Sequence, residues 1–285
     1  MPLDNMKVAF IGSGVMGEAM IKGLLNQKLI KADQIIAADP REERGEELTQ
    51  RYPGLCFTVD NNEASEAADI LVLSVKPQVL GEVMPVVRRG AHSAVLVLSI
   101  IAGQRIKTIA DGVANPSVVR AMPNTPAQIG QGITVWTATP EVLPPQRAQA
   151  EALLGALGEQ IYVDDERYLD MATALSGTGP AYVFLFMEAL IDAGVHMGFS
   201  RRDAERLVLQ TMRGSVEYAA ASGLHPAQLR NQVTSPGGTS AEAIYHLEKG
   251  GLRTVISRAV WAAYQRSVAL GGGSPQHKPD TNGER

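Results

Sequence analysis

The chain has 285 residues, of which 45% are hydrophobic and 20% charged, with a net charge of -4 and a single cysteine. That length is enough for roughly two domains, and the composition is that of an ordinary globular protein. Lys and Arg are not clustered, which excludes nucleic acid and anionic membrane surfaces as expected partners. A disulfide framework within the chain is excluded by the lone Cys56, which fits a reducing cytoplasm. Cys56 lies in a short strand-like run and reads as a buried packing residue. Residues 1–7 lack the charged start and apolar core of a signal peptide.

The first half alternates strand and helix. Strands are predicted at 7–11, 34–38, 55–59, 70–74, 94–99 and 117–121, several of them continuous Val/Ile/Leu/Ala runs. Such runs belong to strands covered on both faces. Helices are predicted between them at 15–27, 41–51, 62–67, 78–88 and 106–110. This order implies an α/β Rossmann-type doubly wound parallel sheet. A further strand is placed at 132–137, a helix at 144–157 and an edge strand at 159–163.

After about residue 164 the strand signals stop. Helices are predicted at 168–175, 179–197, 201–222, 226–232, 239–249 and 252–270. The expected domains are therefore 1–164, a dinucleotide-binding domain, and 165–270, an all-α domain for substrate and dimerisation. Residues 271–285 form a tail with no periodicity, read as disordered. The helix at 179–197 is apolar nearly all round and needs cover on every side. About 105 residues cannot easily supply that cover, so a partner chain is expected. Glu188, Asp192 and His196 along it argue against a membrane span.

Two segments carry chemistry. Gly12-Ser-Gly-Val-Met-Gly17 follows a strand and opens a helix, as the dinucleotide fingerprint requires. Gly12 permits the tight turn, Gly14 the approach of a pyrophosphate and Gly17 close strand–helix packing. Asp39 ends the second strand, where a carboxylate either accepts ribose hydroxyls or caps the next helix. Arg41 and Arg44 just beyond suit a 2′-phosphate instead. Lys76 and Asn124 follow the fourth and sixth strands, each either a ligand contact or an ordinary surface or turn residue.

The second segment, 233–244, reads Val-Thr-Ser-Pro-Gly-Gly-Thr-Ser-Ala-Glu-Ala-Ile. Pro236 and two glycines stop one helix. Another starts near Thr239, with Ser and Thr where N-cap residues belong. Free N–H groups and hydroxyls aimed at one point suit a small carboxylate and one nearby nitrogen or oxygen. A third stretch, Leu175-Ser-Gly-Thr-Gly-Pro-Ala-Tyr182, has Pro180 in a first-turn position and glycines that either allow close backbone approach at a site or simply make a tight elbow between helices.

With these motifs, and with Ser74-Val-Lys-Pro77 and Met122-Pro-Asn-Thr-Pro126, residues 6–270 resemble the pyrroline-5-carboxylate reductase family. The resemblance implies reduction of the C=N bond of 1-pyrroline-5-carboxylate to L-proline by NADPH or NADH. It also implies a homo-oligomer, a dimer or a larger ring of dimers such as a decamer. By family pattern the cofactor is lined by Gly12, Ser13, Gly14, Val15, Met16, Gly17, Asp39, Asn61, Val75, Lys76, Pro77, Ile100, Ile101 and Ala102, and Ile11, Arg41 and Asn124 are candidates beside them by position. The substrate is surrounded by Ser235, Gly237, Gly238, Thr239 and Ser240, with the Ser240 hydroxyl at the ring nitrogen. The family commonly has Thr there; Ser keeps the hydroxyl and loses the methyl that fixes the rotamer.

Hydride transfer to an imine requires neither nucleophile nor metal, only orientation, a carboxylate anchor and a hydrogen bond to nitrogen. The five histidines, His92, His196, His225, His246 and His277, are scattered and show no metal-ligand spacing. Two other readings stay open. The opening, residues 12–20, also resembles the β-hydroxyacid dehydrogenases. Those enzymes place a catalytic lysine four residues after the second glycine of a Gly-x-Gly helix start, where this chain has Val183 after Gly179. A non-catalytic NAD(P)H sensor would have no use for the turn at 235–240.

Overall fold

A computed structural model describes residues 2–92 and 95–273. Most of the tail, 274–285, and the first residue of the expected fifth strand, Ala94, lie outside the described residues. The chain divides into two compact units. One takes in the sequence up to Thr178 and again from Ala263, and the other is Gly179–Ala262.

The α/β unit is one eight-stranded sheet in the order β3-β2-β1-β4-β5-β6-β7-β8. Its strands are β1 (Val8–Ile11), β2 (Ile35–Ala38), β3 (Cys56–Thr58), β4 (Ile70–Leu73), β5 (Leu96–Ser99), β6 (Val118–Met122), β7 (Gly132–Ala138) and β8 (Gly158–Tyr162). The helices are α1 (Val15–Asn26), α2 (Glu42–Arg51), α3 (Asn61–Glu66), α4 (Leu80–Val87), α5 (Ile106–Val113) and α6 (Pro144–Gly155), followed by α7 (Arg167–Ala172). Strands β1 to β6 are mutually parallel. Their apolar runs are continuous because successive side chains face opposite layers. Val8 and Phe10 enter one buried cluster and Ala9 and Ile11 the other; Val72 and Leu71 divide in the same way. The chain order reverses between β1 and β4, which is where ligands sit in such sheets.

Three local features go beyond or against the sequence reading. β7 is antiparallel to β6. The connection between them holds only a 3-10 turn, Thr125–Ile129, and no crossover helix, so the chain can only fold straight back. Cys56 is exposed rather than buried. It lies on β3, the edge strand of the sheet, whose outer side pairs with no strand among the described residues. The segment after α7 is a π-helical turn, Thr173–Gly177, in which the Thr178 N–H donates to Thr173 O at 2.8 Å. A single π turn of this kind recurs at functional sites.

The second unit holds α8 (Gly179–His196), α9 (Arg201–Ser222), α10 (Pro226–Gln232), α11 (Thr239–Lys249) and most of α12 (Leu252–Leu270). Helices α8 and α9 pack where Gly194 faces Ala204; a Cβ on Gly194 would lie 3.1 Å from that of Ala204. The Ser200 hydroxyl accepts the Asp203 N–H to start α9, and His225 Nδ1 accepts the Ala227 N–H to start α10. Little else is enclosed. Phe184, Leu185, Leu207, Val216 and Tyr245 all stand exposed, Leu185 by 67% and Val216 by 68%. The helical run Arg167–His196 is long and apolar enough to cross a membrane by length and composition, with a mean hydropathy of 1.4.

Candidate functional site

The turn between β1 and α1 is built around three glycines. Gly12 has φ +90, a conformation that L side chains rarely adopt, and a Cβ on it would meet Val75 at 2.8 Å. The Ser74 hydroxyl locks the turn by donating to Gly12 O at 2.6 Å. A Cβ on Gly17 would lie 2.6 Å from Gly12 O, so the helix can approach the strand only as glycine. Around Gly14 there is open space, with nothing within 4 Å of where a Cβ would be. Gly14 is the N-cap of α1, and the first intrahelical bond is made by Glu18 N–H to Gly14 O at 2.9 Å. The N–H groups of Val15, Met16 and Gly17 therefore have no partner within the helix. Open space, free donors and the positive end of a helix dipole at one place fit the pyrophosphate of a dinucleotide.

Asp39 ends β2 beside this turn. Its carboxylate accepts from Arg41 Nε at 2.9 Å, Arg41 Nη2 at 3.2 Å, the Arg41 N–H at 3.2 Å and the Ser13 hydroxyl at 3.4 Å. Burial alone would raise this carboxyl, but the Arg41 bonds and Ser13 outweigh it and hold it below its ordinary value. Asp39 thus shapes the start of α2, although the N-cap itself is Arg41. Arg41 is largely exposed, so its guanidinium is within reach of a ligand. Arg44 is not. It donates to Ser13 O at 2.9 Å and pairs with Glu18 at 2.5 Å and Glu47 at 2.7 Å, so its work is to support the turn from behind. Glu18 is also paired with Arg51. Burial would raise its carboxyl, yet the two guanidiniums hold it below its usual value.

The other strand ends lie in a row, because register pairs Ile11 with Ala38 and Leu73, Leu73 with Ser99, and Ser99 with Arg120. Lys76 is exposed just beyond β4, while Val75 and Pro77 are half-buried. The side chains of Ile11 and Ile101 are buried in the core, which leaves only their backbone for a ligand. Ile100 and Ala102 are half-buried beside Ile101. Asn61 is half-buried at the first position of α3. Asn124 Oδ1 accepts the Ile133 N–H at 3.0 Å, so its carbonyl serves the β6–β7 turn. The Ser74 hydroxyl and the Arg44–Glu18 support were not foreseen. Ser74 follows directly after an apolar strand, and that was the available signal.

In the helical unit, residues 235–238 form a tight turn in which Gly238 N–H donates to Ser235 O at 3.0 Å. Gly237 takes the left-handed conformation at φ +72, which a type II turn demands at that position. The N-cap of α11 is Gly238, not Ser or Thr, and no side chain caps it. A Cβ on Gly238 would meet Ser235 Oγ at 2.6 Å, which explains why a glycine stands there. Glu242 N–H is the first to bond within the helix, to Gly238 O at 3.3 Å. Thr239, Ser240 and Ala241 thus have N–H groups without intrahelical partners. With the uncapped start, those donors are left for an anion. Ser235, Gly237 and Thr239 are exposed, and Gly238 and Ser240 half-buried. Among the described residues, no three His, Cys, Asp or Glu side chains are grouped to hold a metal.

Comparison with known proteins matches this division. Residues 166–270 fit the family model "Pyrroline-5-carboxylate reductase dimerisation", and residues 7–103 fit "NADP oxidoreductase coenzyme F420-dependent". A pyrroline-5-carboxylate reductase of Synechocystis is 42% identical over 94% of this chain and 99% of its own length. The chain belongs to the pyrroline-5-carboxylate reductase family. A Pseudomonas aeruginosa member is 40% identical over 94% of this chain and 98% of its own. The crystal structure of the Plasmodium falciparum pyrroline carboxylate reductase, with NADP bound, superposes with a TM-score of 0.86 at 35% identity. It covers 94% of this chain and 98% of that one. The exposed apolar helices α8 and α9 fall inside the matched dimerisation region, which supports a homo-oligomer.

Proposed function

We infer that this chain reduces the C=N bond of 1-pyrroline-5-carboxylate to L-proline with NADPH or NADH, the last step of proline biosynthesis. The observation that carries the reading is the pair of uncapped helix starts, one per unit. Each offers three backbone N–H donors, at α1 to a pyrophosphate and at α11 to a small carboxylate. The cofactor, when bound, supplies the hydride that adds to the imine carbon. The protein supplies everything else by position. Gly12 to Gly17 hold the pyrophosphate. Asp39 and Arg41 divide the adenosine ribose between them, Asp39 facing the hydroxyls and Arg41 a 2′-phosphate. Asn61, Val75, Lys76, Pro77, Ile100, Ile101, Ala102 and Asn124 flank the rest of the cofactor.

At α11 the N–H groups of Thr239 and Ser240 anchor the substrate carboxylate, helped by the Ser235 hydroxyl and the bare backbone of Gly237 and Gly238. The Ser240 hydroxyl, which both donates and accepts, orients the ring nitrogen. The iminium already carries its proton there, so no strong protein acid is needed. Residues 1–164 are the cofactor domain and 165–270 the substrate and dimerisation domain. The helical domains of two chains interlock into an obligate dimer, and dimers assemble further into a ring such as a decamer. The enzyme works in the cytoplasm, on small molecules, without nucleic acid or membrane. The test is loss of NAD(P)H absorbance on addition of pyrroline-5-carboxylate, beside β-hydroxyacids assayed with the oxidised cofactor. Turnover of the β-hydroxyacids alone would overturn the reading.

A further inference from the structure

The α/β unit contains a buried charge cluster that none of the roles above uses. Arg120, on β6, has a side chain only 2% exposed and pairs with Glu166 at 2.6 Å and with Asp170 at 3.7 Å. Asp170, on α7, is 3% exposed and pairs as well with Arg105 at 3.2 Å. The Ser267 hydroxyl, on the last turns of α12, donates to Asp170 at 2.9 Å. Glu166 also accepts the Ile106 N–H at 2.6 Å, at the first residue of α5. Two cations and two anions balance; Arg120 and Asp170 are buried while Arg105 and Glu166 reach the surface, so removing a partner leaves a buried charge uncompensated.

The position of this cluster gives it meaning. The chain leaves the α/β unit after Thr178 and re-enters it at Ala263. Asp170 and Ser267 lie just inside those two crossings and bond to one another. The third member, Arg105, lies two residues after the loop Ile100–Gly103 at the end of β5. The end of α12 packs against that loop. Gly103 has φ +71, and a Cβ on it would meet Leu270 Cβ at 2.7 Å. A Cβ on Gly271 would lie 2.8 Å from Gly103 O. Next to it, at the end of β6, Met122 Cε would be 2.7 Å from a Cβ on Gly177, in the π-helical turn.

We propose that Arg105 and Asp170 are positioning residues for the reductase reaction: with Arg120 and Ser267 they seat the cofactor-lining loop Ile100–Gly103 against both chain crossings, so that the loop is in register only when α7 and α12 are in place. This rests on the reading that Ile100 to Ala102 line the cofactor. Neither residue touches the reacting atoms. Their effect falls on how tightly the cofactor is held and how well it is aimed, because the loop they hold carries those contacts.

The experiment measures NADPH affinity by fluorescence titration on Arg105→Met, Arg105→Lys and Ala102→Arg, with sedimentation and thermal melting of each. Arg105→Met should raise the NADPH Kd by about tenfold in an assembled, folded enzyme, since small misplacements at a supporting shell are costly. Arg105→Lys, which keeps the charge opposite Asp170, should bind NADPH within about twofold of wild type. A lowered melting temperature with an unchanged Kd in Arg105→Met would reduce the cluster to a structural brace and overturn the proposal. If Arg105→Met is insoluble, Ser267→Ala decides. It removes only the bond from α12, and should weaken NADPH binding measurably; an unchanged Kd overturns the proposal. Ala102→Arg separates the premise from the inference. Loss of binding there together with a normal Kd in Arg105→Met sinks only the positioning role. A normal Kd in Ala102→Arg removes the loop from the cofactor site, and the proposal with it.

Discussion

The two units of this chain treat their apolar side chains in opposite ways. In the α/β unit Phe10, Ile11, Met20, Leu71 and Trp136 are fully enclosed, and the strands β1, β2, β4, β5 and β6 send residues into both of two buried layers. In the helical unit Phe184, Leu185, Leu207 and Val216 stand open, and only Gly194 of the 18 residues of α8 is buried. The difference is one of stoichiometry. A sheet with helices on both faces closes its core within one chain. A handful of helices around a mostly apolar one leaves apolar faces open, and the proposed dimer would complete the core with a second copy, as at obligate interfaces. The cofactor half should therefore tolerate dilution far better than the substrate half.

The sharpest way to break that contrast is Leu185→Glu. A charge placed on the uncovered face of α8 should raise the dimer dissociation constant by about 100-fold or more. The α/β unit should stay folded. Sedimentation together with cofactor titration reads both outcomes, and a dimer of normal affinity would remove α8 from the interface. Next in size is Ser240→Ala, expected to lower kcat/KM by roughly 10- to 1000-fold, the range for one oriented donor near a reacting centre. Cofactor Kd and melting temperature should barely move, and wild-type kinetics would strip the hydroxyl of its role. In the α/β unit, Gly14→Val fills open space and should weaken cofactor binding by about tenfold or more while the fold stays intact. Gly17→Ala pushes on Gly12 O instead, and should cost about 1–3 kcal/mol of stability. Equal effects of the two on binding and stability would contradict the assigned division between them.

Much of this was legible in the sequence because local chemistry and global fold agree there. The glycines at 12, 14 and 17 follow an apolar run and precede a helix, and each turned out to have a distinct geometric reason. Continuous apolar strands implied cover on both faces. What was hidden depends on partners far apart in sequence. Nothing near Cys56 says that β3 is the sheet edge. Nothing near Asn124 says that Ile133 uses its carbonyl, which leaves only the amide NH2 to meet a ligand. Arg44 looks free for a phosphate until Glu18 and Glu47 are seen to hold it. The charge cluster around Asp170 joins residues as distant as Arg105 and Ser267. One signal for it was present: Arg120 is a cation inside an otherwise buried strand, and a charge there needs a buried partner.

Smaller effects sharpen the description of the cofactor end. Asp39→Ser removes the carboxylate that opposes a 2′-phosphate and leaves Arg41 unpaired, so the NADPH/NADH preference should rise by about tenfold. An unchanged ratio of kcat/KM values would take Asp39 out of the ribose site. The smallest expected change is in acid. Glu18 is held below its ordinary value, near 4.5. Its contribution to stability is therefore fully present above the unfolded value and lost as pH falls through the folded one. Denaturation of Glu18→Gln should show its largest deficit against wild type at neutral pH and none in strong acid. A deficit that persists in acid would assign Glu18 a packing role alone.

The central claim is that the helical unit is complete only with a second copy. Sedimentation with parallel activity and circular dichroism, carried down to nanomolar protein, tests it most directly. Activity and helix content should fall together as the dimer dissociates, while the α/β signal and cofactor binding persist. A folded, fully active monomer would contradict it.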